Sequence, residues 1–339
     1  MAYKNFTHTE KITRLAQLAN GRRVLFVAPK ATGPTGGVRV IVEHAETLQK
    51  FGVNVGVVAP FSRDKSDVLC NGATVVPIHA GPFQKRKGDV FVWSEIFKPH
   101  QIRFSLGSNI ETVIFVQSFL YAFRAFPNAN EVSSMQLSQV IAASRHVQKF
   151  LENFCGLSEV PIIPASVKKW DGEMSSKRDI IVYMPQKRLA ESIFIKKMLQ
   201  SCFPSSLLYE WQEISGLMHT EVLKILADAR IFLSLQRFDG FGLPALEAMA
   251  AGCLVTGFNG QGGAEYANEK NGFWVKEDDI IGAAHSLAKA IWILRERPEE
   301  AAVMIASGQQ AASLYTETAR DTAVCEVYSK ILSKQNVVN

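Results

Sequence analysis

The chain has few cysteines and no evident way to pair them. Its five, Cys70, Cys155, Cys202, Cys253 and Cys325, are odd in number and far apart, with no CxxC pair or Cys/His cluster at metal-ligand spacing. That excludes a disulfide framework and a zinc cage, and leaves buried reduced thiols as the expectation. No apolar run approaches the ~20 residues needed to cross a bilayer. The first residues, MAYKNFTHTEKITRLAQ, lack the apolar stretch of a secretory signal, so the expected location is the cytoplasm. Neither a GxGxxG dinucleotide fingerprint nor a Gly-Lys-Ser/Thr phosphate loop is present. No short-period repeat or low-complexity tract interrupts the chain. The basic residues are scattered and match no nucleic-acid-binding motif, so nucleic acid is not an expected partner.

What is present is the composition of an ordinary folded protein, 47% hydrophobic and 20% charged over 339 residues, long enough for two domains. The net charge of +5 is unevenly spread. Residues 1–170 carry 20 Lys and Arg against 11 Asp and Glu, whereas residues 171–339 carry 17 against 21. A basic first half suits an anionic partner, either a lipid-headgroup surface or a phosphorylated acceptor. Ordinary variation in surface lysines explains it equally well.

Residues 22–29 (RRVLFVAP) are a short apolar run bounded by turn residues, which reads as a buried strand. A loop, ATGPTGG at 31–37, leads into helical periodicity over 38–51, and 53–59 (VNVGVVA) is a second strand. Such a strand–helix–strand unit builds a parallel sheet. Further strands are expected at 74–78, 89–93, 112–116, 140–143 and 161–164. The polar stretch SVKKWDGEMSSKR, 166–178, precedes a restart of the alternation. Strands are then expected at 179–184, 207–211, 231–235 and 253–258, and helices at 190–200, 219–229, 243–251 and 279–295. From 298 to 333 the pattern is helical. The expected organisation is α/β, with two Rossmann-like doubly wound parallel-sheet domains. One spans 1–168, a linker 169–178, the other 179–316, and a final helix at 317–339 packs back on the first domain.

In open parallel sheets, ligands bind beyond the carboxyl ends of the strands. Three glycine-rich segments fall there, where backbone N–H groups can approach an anion closely. The first, Gly33-Pro-Thr-Gly36-Gly37, leads into a helix; alone it is no more specific than a tight turn. The second, SLQRFDGFGLPALEAMAAG over 234–252, runs from a strand end through Asp239 and Gly240-Phe241-Gly242. Leu243-Pro244 then opens a helix, where proline is at home, and Glu247 lies near its first turn. Two carboxylates bracketing a glycine turn can grip sugar hydroxyls while helix N–H groups meet a phosphate. Equally, Glu247 complements the helix dipole and Asp239 is a turn residue. The third segment, Asn259-Gly-Gln-Gly262-Gly263-Ala-Glu265, follows the next strand.

The stretch DGFGLPALEAMAAG, 239–252, resembles the signature E-G-F-G-L-P-x-L-E-A-M-A-x-G of the retaining GT-B glycosyltransferases of the GT4-like family (glycosyl transferases group 1). The resemblance is strong over 230–275 and loose elsewhere. It implies a GT-B fold, two domains facing a central cleft. The activity implied moves a hexose-like sugar, with retention, from a nucleoside-diphosphate donor to a hydroxyl acceptor that is a glycan or lipid-linked. Surface polysaccharide or glycolipid synthesis is the implied setting. By position, Glu247 would hold the ribose hydroxyls and Asp239 would face the donor sugar. Gly240, Phe241, Gly242, Leu243, Gly262 and Gly263 would line the donor, with Gly36 and Gly37 closing on its diphosphate from the first domain. Lys187 or Arg188, in YMPQKR, would neutralise the leaving group. No cofactor or metal is implied, because fixed cations and helix N-termini stabilise a departing diphosphate; the nucleotide sugar is a co-substrate.

The sequence departs from that pattern in three ways. Asp239 replaces Glu, Lys187 and Arg188 are adjacent rather than spaced, and the histidine frequent in the family after a middle strand of the first domain is missing, Gln117 being the nearest candidate for its place. These departures keep open a second reading, a catalytically degenerate protein that binds sugar nucleotides. A nicotinamide-dependent dehydrogenase is disfavoured by the missing GxGxxG. Gln117 and Tyr121 are the acceptor-side candidates. Tyr121 lies in the aromatic run FLYAFRAF, 119–126. That run reads as core, as an acceptor wall, or as a shallow peripheral contact with an anionic membrane at the membrane's inner face. His219 is a surface or nucleotide-pocket residue opening a helix, and His44 is a structural residue of an amphipathic helix.

Overall fold

A computed structural model describes residues 15–29, 36–59, 76–80, 83–105, 110–172 and 176–334. The start of the first glycine loop (Gly33), Cys70 and most of the strand expected at 74–78 lie outside them. Two compact units emerge, Met1–Ala165 with Thr318–Asn339, and Ser166–Glu317.

Among the described residues the first unit holds six strands: β1 (Arg23–Val27), β2 (Asn54–Ala59), β3 (Ile78–Ala80), β4 (Val90–Ser94), β5 (Glu111–Val116) and β6 (Gln139–Ala142). All pairings are parallel, in the order β3-β2-β1-β4-β5-β6. Strands such as VFVWS and ETVIFV are buried along their whole length, as continuous apolar runs covered on both faces should be. The chain order reverses between β1 and β4, a crevice where such sheets take ligands. Helices α1 (Gly36–Lys50), α2 (Phe119–Ala125) and α3 (Arg145–Phe154) follow β1, β5 and β6. The Ser144 side chain caps α3 by accepting from the Val147 N–H.

Residues 161–164 do not form the expected strand. A single bridge, Ala142 to Ile162, is all that pairs, because Pro161 and Pro164 have no N–H to continue a ladder. The thiols also differ from expectation: Cys253 and Cys325 are buried, Cys155 is half-buried and Cys202 is exposed.

The second unit is a five-stranded parallel sheet of β7 (Arg178–Tyr183), β8 (Glu210–Glu213), β9 (Ala229–Asp239), β10 (Leu254–Gln261) and β11 (Phe273–Val275). Its order, β11-β10-β9-β7-β8, places the reversal between β7 and β9. The helices are α4 (Leu189–Cys202), α5 (His219–Asp228), α6 (Leu243–Ala250), α7 (Ile280–Glu296) and α8 (Pro298–Ala312). The strand expected at 207–211 is displaced by a 3₁₀ turn, Pro204–Leu208, and β8 starts after it. Proline presets that first turn. The three-residue β11 is too short to register as a period. Val167 N–H donates to Tyr315 O at 2.9 Å, fastening both ends of this unit.

The final helix, α9 (Glu317–Ser333), packs on the first unit. Arg320 Nη1 donates to Glu43 Oε2 at 3.1 Å, Thr47 Oγ1 donates to Asp321 Oδ1 at 2.9 Å, and Tyr328 lies 6.2 Å from Phe26, ring to ring.

Candidate active site

Lys187 sits just past β7, in the short turn Pro185–Lys187, and Asp239 is the last residue of β9. Their side chains pair across the point where strand order reverses. The neighbouring Arg188 has the opposite environment. Its side chain is 1% exposed against 49% for Lys187. Nε donates to Gln236 O at 3.1 Å, Nη2 donates to Glu277 O at 2.9 Å and pairs with the Glu277 carboxylate, and the guanidinium lies 3.9 Å over the Phe258 ring. Of the two basic candidates, Arg188 is committed to the protein and Lys187 is presented at the surface. Side-chain direction, which spacing does not reveal, separates them.

Beyond Asp239 the backbone makes a tight turn into α6. Gly242 is the residue before the helix, in the left-handed region at φ +88°, which favours glycine. A Cβ there would lie 2.5 Å from Gln236 Oε1 and 2.9 Å from Tyr266 Oη. Gly240 and Phe241 are buried, and Leu243 is half-buried. Gly262 lies directly against this turn: its Cβ would fall 2.4 Å from the Gly240 carbonyl carbon and 2.5 Å from Phe241 N. Gly263 leaves room for Tyr266 in the same way, its Cβ position being 3.1 Å from Oη. The structure thus brings the second and third glycine segments together.

Glu247, on the second turn of α6, is buried. Its Oε1 lies 2.8 Å from His219 Nε2 at the start of α5. His219 is therefore a partner of the carboxylate rather than an isolated surface residue. No sequence signal joined the two, because they lie 28 positions apart.

In the first unit, Gly36 and Gly37 open α1 and are exposed. Gln117 follows β5 and its Nε2 donates to Gly37 O at 3.0 Å. Close by is Glu95, just after β4, which sequence reasoning missed. Its Oε1 accepts from the Ser118 N–H and its Oε2 from Ser94 Oγ, both at 2.8 Å. Burial pushes its carboxyl up, and the hydrogen bond from Ser94 and the backbone bonds only partly oppose this. Its place at a strand end was the signal available. Tyr121, on α2, points outward with Leu120 and Phe123, while only Ala122, Ala125 and Phe126 of the aromatic run are core. His44 is buried in α1, 4.7 Å from Phe115 ring to ring. Among the described residues, no cluster of three or more His, Cys, Asp or Glu could hold a metal ion. No described helix is long and apolar enough to cross a membrane.

Residues 211–311, which contain Asp239, the Gly242 turn, Glu247 and Gly263, match the family model described as Glycosyl transferases group 1. The two parallel-sheet units have the GT-B fold, and over the matched segment the chain is similar to the group 1 glycosyltransferases. Among known proteins, the chain is similar to an alpha-1,6-glucosyltransferase of Actinobacillus pleuropneumoniae serotype 7 (strain AP76), 26% identical over 266 residues, which are 76% of this chain and 80% of that protein. Anabaena HepE, solved in complex with UDP, superposes with a TM-score of 0.66 at 14% identity, covering 91% of this chain and 100% of that one. The TarM structure from S. aureus, a mutant with Fondaparinux, alpha-GlcNAc-glycerol and UDP, gives 0.55 at 13% identity. There the match covers 71% of this chain and 55% of TarM.

Proposed function

We propose that this glycosyltransferase moves a hexose-like sugar from a nucleoside-diphosphate donor to a hydroxyl acceptor, with retention, in the manner of the GT4-like enzymes. The observation that carries the reading is the Lys187–Asp239 pair at the β7/β9 reversal, beside the glycine turn that opens α6. A departing nucleoside diphosphate accumulates negative charge. Lys187 is the exposed cation placed to meet it, aided by the N-terminal N–H groups of α6, and no metal is required by this scheme. Asp239 is then released to the donor sugar's hydroxyls. Glu247, whose Oε1 meets His219, is the acid assigned to the ribose hydroxyls. Gly36, Gly37 and Gln117 are the first unit's own candidate ligand-binding residues. That HepE and TarM were solved with UDP makes UDP the first nucleotide to try.

The acceptor in this reading is a glycan or a lipid-linked hydroxyl. The outward Leu120, Tyr121, Phe123 and Phe154, with exposed Arg124, Arg145 and Lys149 near them in sequence, suit an acceptor held at an anionic membrane surface. Co-sedimentation with liposomes should rise with anionic lipid content; indifference to it removes the membrane part. One observation favours binding without transfer. Asp239 is a methylene shorter than the usual glutamate and is already engaged by Lys187.

The test is a thermal-shift screen with UDP, GDP, their sugar derivatives and nicotinamide cofactors. A ligand at a hundred times its Kd adds about 2.7 kcal/mol of stability. Glu247→Ala should abolish the shift while leaving the fold intact. Unchanged nucleotide affinity in that variant refutes the ribose assignment. Release of nucleoside diphosphate with an accepted sugar separates transfer from binding alone.

A further inference from the structure

Two side chains converge on one backbone oxygen under the glycine turn. Gln236 Nε2 donates to Gly242 O at 2.7 Å and Tyr266 Oη donates to the same oxygen at 2.5 Å. Both side chains belong to buried residues, one on β9 and one just after the turn Gly262–Glu265. Three glycines make room for them. Cβ atoms at Gly242, Gly260 and Gly263 would lie 2.5 Å from Gln236 Oε1, 2.6 Å from Gln236 Cβ and 3.1 Å from Tyr266 Oη respectively.

The consequence follows from the peptide bond. In a planar trans unit the C=O and the following N–H point in opposite directions. With the Gly242 carbonyl gripped from the protein side, the Leu243 N–H is turned away from Gln236 and Tyr266. It is the first N–H of α6, one of those with no partner inside the helix. We propose that Gln236 and Tyr266 are positioning residues: by holding the Gly242 carbonyl they fix the Leu243 N–H as a preset donor to the diphosphate of the bound nucleotide. This rests on the donor reading above, and adds to it two residues that no motif marks. Preset donors are effective because they need no reorganisation when charge develops on the leaving group. Burial pushes the Tyr266 phenol well above its ordinary range, so it remains a donor at any working pH.

The distinguishing readout is phosphate-dependent. Tyr266→Phe keeps the ring and removes one donor; Gln236→Met removes the other at similar volume. The wild-type protein and both variants are titrated calorimetrically with UDP and with uridine, or with GDP and guanosine if the wild type binds those. The expected result is a loss of about tenfold in diphosphate affinity, about 1.4 kcal/mol, with nucleoside affinity unchanged. Equal losses for diphosphate and nucleoside indicate general loosening and overturn the proposal. Unchanged diphosphate affinity in both variants overturns it while leaving the donor reading intact. If the wild type binds no nucleoside diphosphate, the donor reading fails and the clamp fails with it.

Discussion

The two units use glycine before a helix in opposite ways. At the start of α1, among the described residues, a Cβ on Gly36 would meet nothing within 4 Å, and one on Gly37 would meet the Gln117 amide, at 3.6 Å or beyond. At the start of α6, Gly242 is left-handed and its surroundings are filled. The first unit instead fastens its helix along the flank. Glu43, Thr47 and Arg39 of α1 join Arg320 and Asp321 of α9 in a buried charged network. One helix is held by its side and left open at its tip; the other is held at its tip. A glycine in an open tip preserves space for something outside the unit, whereas a glycine in a closed one preserves the backbone's own path.

The largest effect should come from the basic pair that flanks the closed tip. Arg188→Ala strands the Glu277 carboxylate and should lose about 3–5 kcal/mol in urea unfolding. Lys187→Ala, half exposed, should unfold like wild type yet lower kcat by about 10²–10³. Similar stability losses in both would show that the two side chains are not divided between structure and chemistry. Next is the tip itself. Gly242→Ala combines backbone strain with contacts too close to Gln236 and Tyr266, and should cost about 2–4 kcal/mol.

The flank of α1 supplies the pH-dependent prediction. Burial first, then the Arg320 charge, lowers the His44 pKa to about 3 from 6.5, the Asp321 charge opposing weakly. Below pH 6.5 the unfolded chain takes up a proton that the folded one refuses, so stability falls as pH drops. At pH 5.5 this residue alone should remove about 1–2 kcal/mol relative to neutral pH. His44→Phe should flatten that limb, and an unaltered slope would place the acid sensitivity elsewhere. The smallest effect is at the open tip. Gly36→Ala should change stability by no more than about 0.5 kcal/mol. If turnover also stays constant, the space above α1 is not used.

Much of this was legible before the fold was seen. The apolar runs at 23–27, 90–94 and 111–116 are strands because a sheet covered on both faces needs uninterrupted hydrophobicity. The DGFGLPALE stretch named the candidate site through its resemblance to the GT4-like signature, since glycines and carboxylates at a helix start serve equally well as turn and dipole residues. Less legible was everything that depends on direction. Adjacent Lys187 and Arg188 looked interchangeable, yet one is exposed and one is stacked on Phe258. The run at 119–126 reads by its composition mainly as core, but α2 is short and turns Leu120, Tyr121 and Phe123 outward. The strand expected at 161–164 failed on its prolines, and the helical pattern from 298 onward breaks into α8 and α9.

Sequence alone determined the α/β alternation, the glycine turn and its two acids, because these depend on local periodicity and on what a backbone can do at a few positions. Tertiary structure decided which of those groups meet. Lys187 reaches Asp239 over 52 positions, Glu247 meets His219 over 28, and Tyr266 closes on Gly242 over 24. Such pairings are set by strand order and sheet register, and neither is written in the spacing of residues along the chain.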